Sequence, residues 1–432
     1  MCGFAVIKNK NFVYPQRIAH RGIEVSEQYF GEFKLVHYRL PLQTVEGDSW
    51  KQPIPVKNGM LLFNGEIFNY PERFTNDVEY LQDYFSRDWG SLNSEYNTWD
   101  GFWSIVLIQN NKVYAFTDPL GKKQLYYDSY GNISSEIKPL LNTTNFNEKF
   151  NFTTPEITGG TPFKGIYRIQ PNSLYIFDKG STKIYSDVYN LRQNPYTNNL
   201  RQLLLDSVRV RNINLKDKNT LFVSGGLDST IILHCIHELG LIENFEFITI
   251  ENSEDDYIKV VEDHYKIQVE RIQYPPMIDF EAICTKYEYP FDFGSIAGQN
   301  ELVRNTKGSV IFTGDGADEL FSGYGRAQIQ DTQEFDVFTE LPFYHNIRLD
   351  RIGMTYTKEI RSPFMGHYVV RFALNCPYSE RLNKVCLKQS FSDLPIEILE
   401  RSKKPLRLKE MDQDRKKYQD NFLKIFKSIQ YA

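Results

Sequence analysis

The chain has no uninterrupted apolar run near the roughly eighteen residues that a membrane span needs. Its opening segment, MCGFAVIKNK, is too short in its apolar part for a signal peptide, so a cytoplasmic protein with no membrane partner is expected. A basic excess is also missing. The 50 Lys+Arg stand against 55 Asp+Glu, a formal net charge of -5, whereas a surface made for nucleic acid needs cations to neutralise phosphates. Cysteine is scarce, at five residues in 432. Cys2, Cys235, Cys284, Cys376 and Cys386 contain no CxxC pair and no zinc-ligand spacing, and their odd number does not fit complete disulfide pairing. Reduced thiols are expected. Internal repeats and low-complexity tracts are absent.

What is present is enough length for two or three domains, each able to bury its own core. Residues 1–187 read mainly as short strands (FKLVHYRL, GMLLFNGEIF, FWSIVLIQ, KVYAFTD, NSLYIFD) between Gly, Asn and Pro turns, with a helix at DVEYLQDYF, where apolar residues fall at helical spacing. Residues 188–199, which include the polar NLRQNPYTNN, read as a linker. In residues 200–432 strands alternate with helices: NTLFV with STIILHCIHELG, FEFITI with DDYIKVVEDH, and SVIFTG with an acidic turn. This predicts an α/β domain with a parallel sheet and a helical tail. The basic residues of RSKKPLRLKEMDQDRKK are interspersed with acids, as on a solvated surface.

Cys2 follows the initiator methionine and is small enough to permit its removal, which would put a thiol and a free α-amine on one residue. An α-amine titrates at about 7.7–8.0, so it can relay a proton to and from its own side chain without a histidine base. Alone, a cysteine in CGFAVI is more often a small apolar residue of a first strand. The weighing changes with His20-Arg21-Gly22, His37-Tyr38-Arg39-Leu40, Asn64-Gly65-Glu66 and Asn76-Asp77-Val78-Glu79 in the same half. Together with Gln52-Pro53, FNGEIFNY, DGFWS, DPLGKKQLYY and SSEIKPLL, these resemble the class II glutamine amidotransferase domain. The resemblance implies an α+β, Ntn-hydrolase-like sandwich of layered antiparallel sheets with helices. It implies that Cys2 attacks the glutamine side-chain amide and releases ammonia, with Asn64 and the Gly65 backbone N–H holding the oxyanion. The Arg39 guanidinium suits the glutamine α-carboxylate, and Glu66 and Asp77 suit its α-ammonium. A surface ion pair is the bland reading of Arg39 and Asp77. One departure is HRGIE, where the family shows HRGPD, at Ile23 and Glu24.

In the second half, NTLFVSGGLDSTIILHCIHELG sets a strand, a Gly-rich turn and a helix in succession, so that backbone N–H groups and a helix N-terminus face any bound anion. The GxxxxGK(S/T) pattern is absent. Ser224-Gly225-Gly226-Leu227-Asp228-Ser229 resembles instead the pyrophosphate loop of ATP pyrophosphatases. The two glycines let the backbone approach phosphates, Ser224 and Ser229 offer hydroxyls, and Asp228 offers a hard oxygen for Mg²⁺. A plain strand-to-helix turn with a cap would explain one or two of these residues but not the set. His234 and His237 lack further ligands at zinc spacing and read as ordinary helix residues.

A second turn, Thr313-Gly314-Asp315-Gly316-Ala317-Asp318-Glu319, crowds three acids after a predicted strand. Beside the first loop, Asp318 and Asp228 would share Mg²⁺ on ATP, with Thr313 and Gly314 lining the nucleotide; a solvated acidic turn is the bland alternative. This turn resembles the second signature of asparagine synthetases, and IRLDRIGMTYTKEIRSPFMGHYVVRFALNCP and NKVCLKQSFSDLPIEILERSKKP resemble the segments that follow it there. The resemblance implies that Lys403 steadies pyrophosphate and that Asp315, where many relatives have Glu, takes a proton from attacking ammonia. Gly366 stands where the family has Asp, and little chain follows Lys403. The expected activity is glutamine-dependent amidation of an adenylated aspartate, with ATP and Mg²⁺; a homodimer is a family expectation only. The rival readings are the same chemistry on a sugar uronate or peptide carboxylate, and a catalytically silent nucleotide-binding homologue.

Overall fold

The computed structural model describes residues 2–428 apart from 9–12, 44–49, 91, 93, 142–144, 148–149, 151–159, 194–198, 252–254, 274–278, 290–292 and 403–414. The strands of the first half are β1 (Cys2–Ile7), β2 (Glu24–Phe30), β3 (Phe33–Arg39), β4 (Ile54–Val56), β5 (Gly59–Ile67), β6 (Gly101–Gln109), β7 (Lys112–Thr117), β8 (Tyr126–Asp128), β9 (Ile133–Ser134), β10 (Ile166–Arg168), β11 (Ser173–Asp178) and β12 (Ser181–Ser186). They form two six-stranded sheets, ordered β10-β8-β9-β1-β3-β2 and β12-β11-β7-β6-β5-β4. β1 and β5 are buried along their whole length, which is why both read as nearly continuous apolar runs rather than as alternating ones.

The sheets pack face to face through Phe4, Val6 and Leu35 of one and Met60, Leu62, Val106 and Ile108 of the other. The turn segment Pro15–Arg21 covers the outer face of the first sheet, where Ile18 meets Ala5, Ile7 and Val36. Helix α1 (Asp77–Ser86) covers the outer face of the second, setting Tyr80, Leu81, Tyr84 and Phe85 against Trp99 and Trp103. The Asn76 side chain caps α1 by accepting from the Glu79 N–H at 2.9 Å. The layered α+β sandwich expected of this half is observed.

The second half opens with α2 (Leu200–Arg211) and builds a five-stranded, wholly parallel sheet. Its strands are β13 (Asn219–Phe222), β14 (Phe245–Ile250), β15 (Glu270–Ile272), β16 (Val310–Phe312) and β17 (Glu359–Arg361), in the order β15-β14-β13-β16-β17. Helices α3 (Leu227–Glu238), α4 (Asp255–Tyr265), α5 (Phe280–Tyr287), α6 (Phe293–Asn305), α7 (Ala317–Leu320), α8 (Gln333–Phe335), α9 (Asn346–Thr355) and α10 (His367–Asn375) follow in sequence, and Arg415–Ser428 forms a closing helix. The sheet grows to both sides of β13, so the loops leaving β13 and β16 lie side by side at the carboxyl edge, where open α/β sheets bind ligands.

The two halves meet through buried ion pairs. Arg211 of α2 grips Asp100 at 2.6 and 3.1 Å, and the same carboxylate accepts from the His367 N–H at 2.8 Å. Asp350 of α9 receives Arg21 at 2.9 and 3.0 Å and Lys123 at 2.8 Å. Glu288 pairs with Arg351 at 3.0 Å and accepts from the Ile137 and Lys138 N–H groups. Buried charges persist only when partnered this completely.

Candidate active site

Antiparallel register sets Arg39 of β3 opposite Cys2 of β1. Gly65 and Glu66 of β5 line the same pocket, together with Cys2, Arg39, Gln43 and Asp77 among others. Five of the six glutaminase residues singled out from sequence line this pocket, and the sixth, Asn64, hydrogen-bonds to Cys2 at its wall. The Cys2 backbone N–H donates to Asn64 Oδ1 at 3.0 Å, while Asn64 Nδ2 points at Ser104 Oγ, 3.4 Å away. Burial pushes the Cys2 thiol above its ordinary range. Gly65 pairs with Trp103 of the neighbouring strand β6; a Cβ there would stand 2.0 Å from the Phe102 carbonyl oxygen.

The polar wall is held from outside the pocket. Arg39 Nη1 pairs with Glu24 Oε2 at 2.9 Å, so the departure at Glu24 supplies the guanidinium's partner, and Arg39, 5% exposed, is a buried side chain paired with a half-buried one. Gln43 donates to Glu66, and the Ile67 N–H donates to Asp77 Oδ2 at 3.1 Å. Burial, and then the neighbouring Glu359 carboxylate, raises Glu66 to about 7. Burial and Glu66 likewise push Asp77 well above the usual carboxylate range. Sequence reasoning did not find Gln43, Glu359 or the part played by Arg21, which donates from Nε to the Cys2 carbonyl oxygen at 3.0 Å. The HRG triplet was a signal for Arg21, and Gly3 was another: a Cβ at Gly3 would lie 2.6 Å from Arg21 Cδ.

In the parallel-sheet half, the loop after β13 turns through Gly225 at φ +64°, and Gly226 precedes α3 in extended conformation. Ser229 Oγ accepts from the Ser224 N–H at 3.1 Å and lies 3.0 Å from Ser224 Oγ, and the Gly226 N–H donates to Ser224 Oγ at 3.3 Å, so the two hydroxyls brace the loop. The acidic turn after β16 packs against it. A Cβ at Gly314 would sit 2.8 Å from Asp228 Cβ, and Thr313 is tied to β17 by its N–H to the Arg361 carbonyl at 3.0 Å.

Asp228 and Asp318 are brought together, and the cation between them is an ammonium. Lys384 Nζ lies 2.6 and 2.7 Å from the Asp228 oxygens and 2.6 Å from Asp318 Oδ1. Burial works against the Lys384 charge, and the two carboxylates outweigh it, so the ammonium holds its proton more tightly than usual. Two carboxylates are donors that a hard divalent cation accepts, but the point on which they converge is held by Lys384 Nζ, and among the described residues no group of three or more His, Cys, Asp or Glu side chains could hold a metal ion. Asp315 pairs with Arg348 of α9 at 3.1 Å. Gly366 has a packing reason: a Cβ there would meet Ser207 Oγ at 2.5 Å. Lys403 lies outside the described residues. A small cavity is lined by Trp99, Trp103 and Lys122 from the first half and Met365, His367 and Val370 from the second. Burial, and then Lys123, pushes Lys122 down to about 7.

Two families match the two halves of the chain. The glutamine amidotransferase domain family matches residues 1–189, so the first half is of that class. The asparagine synthase family matches residues 199–336 and 325–429, more than half the chain, and the protein belongs to this family. A putative asparagine synthetase (glutamine-hydrolyzing) 2 of Methanocaldococcus jannaschii is 26% identical over 310 residues, covering 61% of this chain and 59% of its own. The asparagine synthetase (glutamine-hydrolyzing) of Gallus gallus is 25% identical over 412 residues, and that of Homo sapiens 26% over 416; both matches cover 82% of this chain and 73% of the relative. The match thus spans about three fifths of the archaeal relative's length.

Proposed function

We propose that the protein is a glutamine-dependent, ATP-consuming amide synthetase that converts aspartate to asparagine. The observation that carries this reading is the presence, in one chain, of a buried cysteine pocket with Arg39, Glu66 and Asp77 on its wall and a Gly-rich loop whose Asp228 converges with Asp318 on a single cation position. In the first site the Cys2 sulfur attacks the glutamine side-chain carbonyl, its proton passing to the α-amine and then to departing ammonia. The Gly65 N–H and Asn64 stabilise the oxyanion, and water releases glutamate from the thioester. Arg39 and the two acids orient the amino-acid end of glutamine.

In the second site the acceptor carboxylate attacks the ATP α-phosphorus, giving an acyl-adenylate and pyrophosphate. Ammonia then attacks the acyl carbon, Asp315 takes its surplus proton, and AMP leaves. Asp228 and Asp318 would hold Mg²⁺, whose chemistry when bound is to neutralise phosphate charge. The cavity lined by both halves supports an enclosed route for ammonia, which in water would be lost as ammonium.

A second reading keeps the chemistry and changes the acceptor to another carboxylate, such as a uronate or a peptide. It is favoured by Gly366, where the resemblance predicts an acid and where a Cβ would meet Ser207 Oγ at 2.5 Å. The deciding experiment is ATP–pyrophosphate exchange with a panel of carboxylic acids, followed by product analysis with glutamine. Aspartate-dependent exchange with AMP and asparagine formed together is the expected result. Exchange with a different acid supports the second reading, and ADP formation, or no exchange with any acid, overturns both.

A further inference from the structure

Two cysteines near the end of the second half lie against each other. Cys376 closes α10, its N–H donating to the Ala373 carbonyl at 3.3 Å, and Cys386 lies in the short helix Val385–Ser390. Their thiols are hydrogen-bonded to one another. Both residues are nearly buried, at 9% and 7% exposure, but Cys376 stands between exposed Asn375 and Pro377, within reach of a small solute. Cys235 and Cys284 differ in being 0% exposed, the setting of inert structural thiols.

The nine residues between the pair include Lys384, the cation that joins the two nucleotide loops. Their path is pinned. Arg381 donates to the Cys376 carbonyl oxygen at 3.3 Å and to Ser322 Oγ at 2.6 Å, and pairs with Asp331. The Asn383 and Lys384 N–H groups donate to the Ser322 and Phe321 carbonyls at 3.1 and 3.2 Å. Asn383 and Lys384 both hold positive φ, +55° and +61°, a conformation that costs energy in residues with a side chain. Such a segment has little slack, so a displacement of Cys386 passes to Lys384, two residues before it.

We propose that Cys376 and Cys386 are a pair that peroxides oxidise to a disulfide, and that this disulfide draws Lys384 off Asp228 and Asp318. The effect on the nucleotide loops rests on the adenylation reading above; the thiol chemistry does not. The Cys386 S–H donates to Cys376, and that bond, opposed by burial, holds the Cys376 thiol below its ordinary range and raises its donor. Cys376 is therefore the nucleophile. Its sulfur attacks one peroxide oxygen, the O–O bond breaks, and the leaving oxygen takes the Cys376 proton as water or an alcohol. The Cys386 sulfur then attacks the sulfenic acid on Cys376. The S–S bond forms as hydroxide leaves with the Cys386 proton as water, so two thiols are oxidised and one peroxide is reduced. Disulfide sulfurs are about 2.05 Å apart, far closer than hydrogen-bonded ones, so the new bond pulls Cys386 toward the end of α10.

The test uses the full chain with Cys2→Ala, which removes the thiol of the glutamine pocket. The protein is treated with hydrogen peroxide, capped with N-ethylmaleimide and digested with trypsin, which cuts after Arg381 and Lys384 and so leaves the pair on separate peptides, 372–381 and 385–388. Mass spectrometry should find these two peptides joined. ATP–pyrophosphate exchange with aspartate should fall about tenfold in the same sample, the worth of one charge-assisted hydrogen bond. Dithiothreitol should reverse both changes. Cys386→Ser should give no joined peptide and keep its exchange rate after peroxide; if it does not fold, Cys376→Ser is read in the same way. Absence of the joined peptide, a joined peptide with unchanged exchange, or an equal loss of exchange in the serine variant overturns the proposal. Absence of exchange before any oxidation overturns the aspartate-adenylation reading and removes the effect on exchange with it, whereas the joined peptide decides the thiol pairing in either case.

Discussion

The Lys384 ammonium contacts both oxygens of Asp228, at 2.6 and 2.7 Å, from a backbone held at φ +61°. The same nitrogen meets Asp318, so the lysine neutralises two acids that would otherwise repel each other across a loop junction. Replacing it with Met should therefore destabilise the protein by ~2 kcal/mol, less than for a fully dry pair because both carboxylates keep some solvent. Millimolar Mg²⁺ should restore more melting temperature to Lys384→Met than it adds to the parent. Calorimetry with and without Mg²⁺ checks this; equal Mg²⁺ responses would contradict it.

Cys2→Ala removes the attacking sulfur and nothing that the loops of the parallel sheet need. Glutamine-dependent product should vanish, while product from added ammonium persists within about threefold of the parent, since the second site is built from other residues. Loss of both activities would refute the division between the sites.

Glu24 does not need to touch a ligand to affect binding, because it fixes the Arg39 guanidinium at 2.9 Å. Glu24→Gln should raise KM for glutamine about tenfold with kcat nearly preserved, the cost of one charge-assisted hydrogen bond. Steady-state kinetics at several glutamine concentrations separates the two constants.

Glu66 is held at about 7, above the ordinary 4.5, by burial and by Glu359. Between those values the folded chain keeps a proton that the unfolded chain has released, so this group makes stability fall as pH rises through the window. Glu66→Gln should be the more stable protein by ~1–3 kcal/mol near pH 8 and match the parent near pH 4. Function runs the other way: the anion attracts the glutamine α-ammonium, so the parent's KM should rise as pH falls below about 7, and the variant's should be high and flat. Denaturant melts and KM measurements across pH test both halves of the prediction.

Much of this was readable before any coordinates. The strand-rich first half, helix α1 and the β–loop–α units of the second half follow from local periodicity and turn residues, signals carried by neighbours in the chain. The cysteine pocket and the two loops were named through contiguous motifs such as Asn64-Gly65-Glu66 and Ser224–Ser229. What escaped is of another kind. Lys384, Gln43 and the Arg21–Asp350 pair are single polar residues whose partners lie tens to hundreds of positions away. No period or spacing announces such a pair, because the tertiary fold alone decides which side chains meet. Gly366 shows the reverse limit: it reads as a lost acid, and only the nearness of Ser207 explains the missing side chain.

The buried charges between the halves bear on how such a protein can change. Arg21 and Lys123 on one side are matched to Asp350 on the other, and Arg211 to Asp100 in the opposite sense. A chimaera that borrowed its amino-terminal half from a distant relative would strand these ions without counterparts in a dry seam. Exchange of halves by recombination is therefore penalised, and drift at this boundary must proceed by compensated double substitutions.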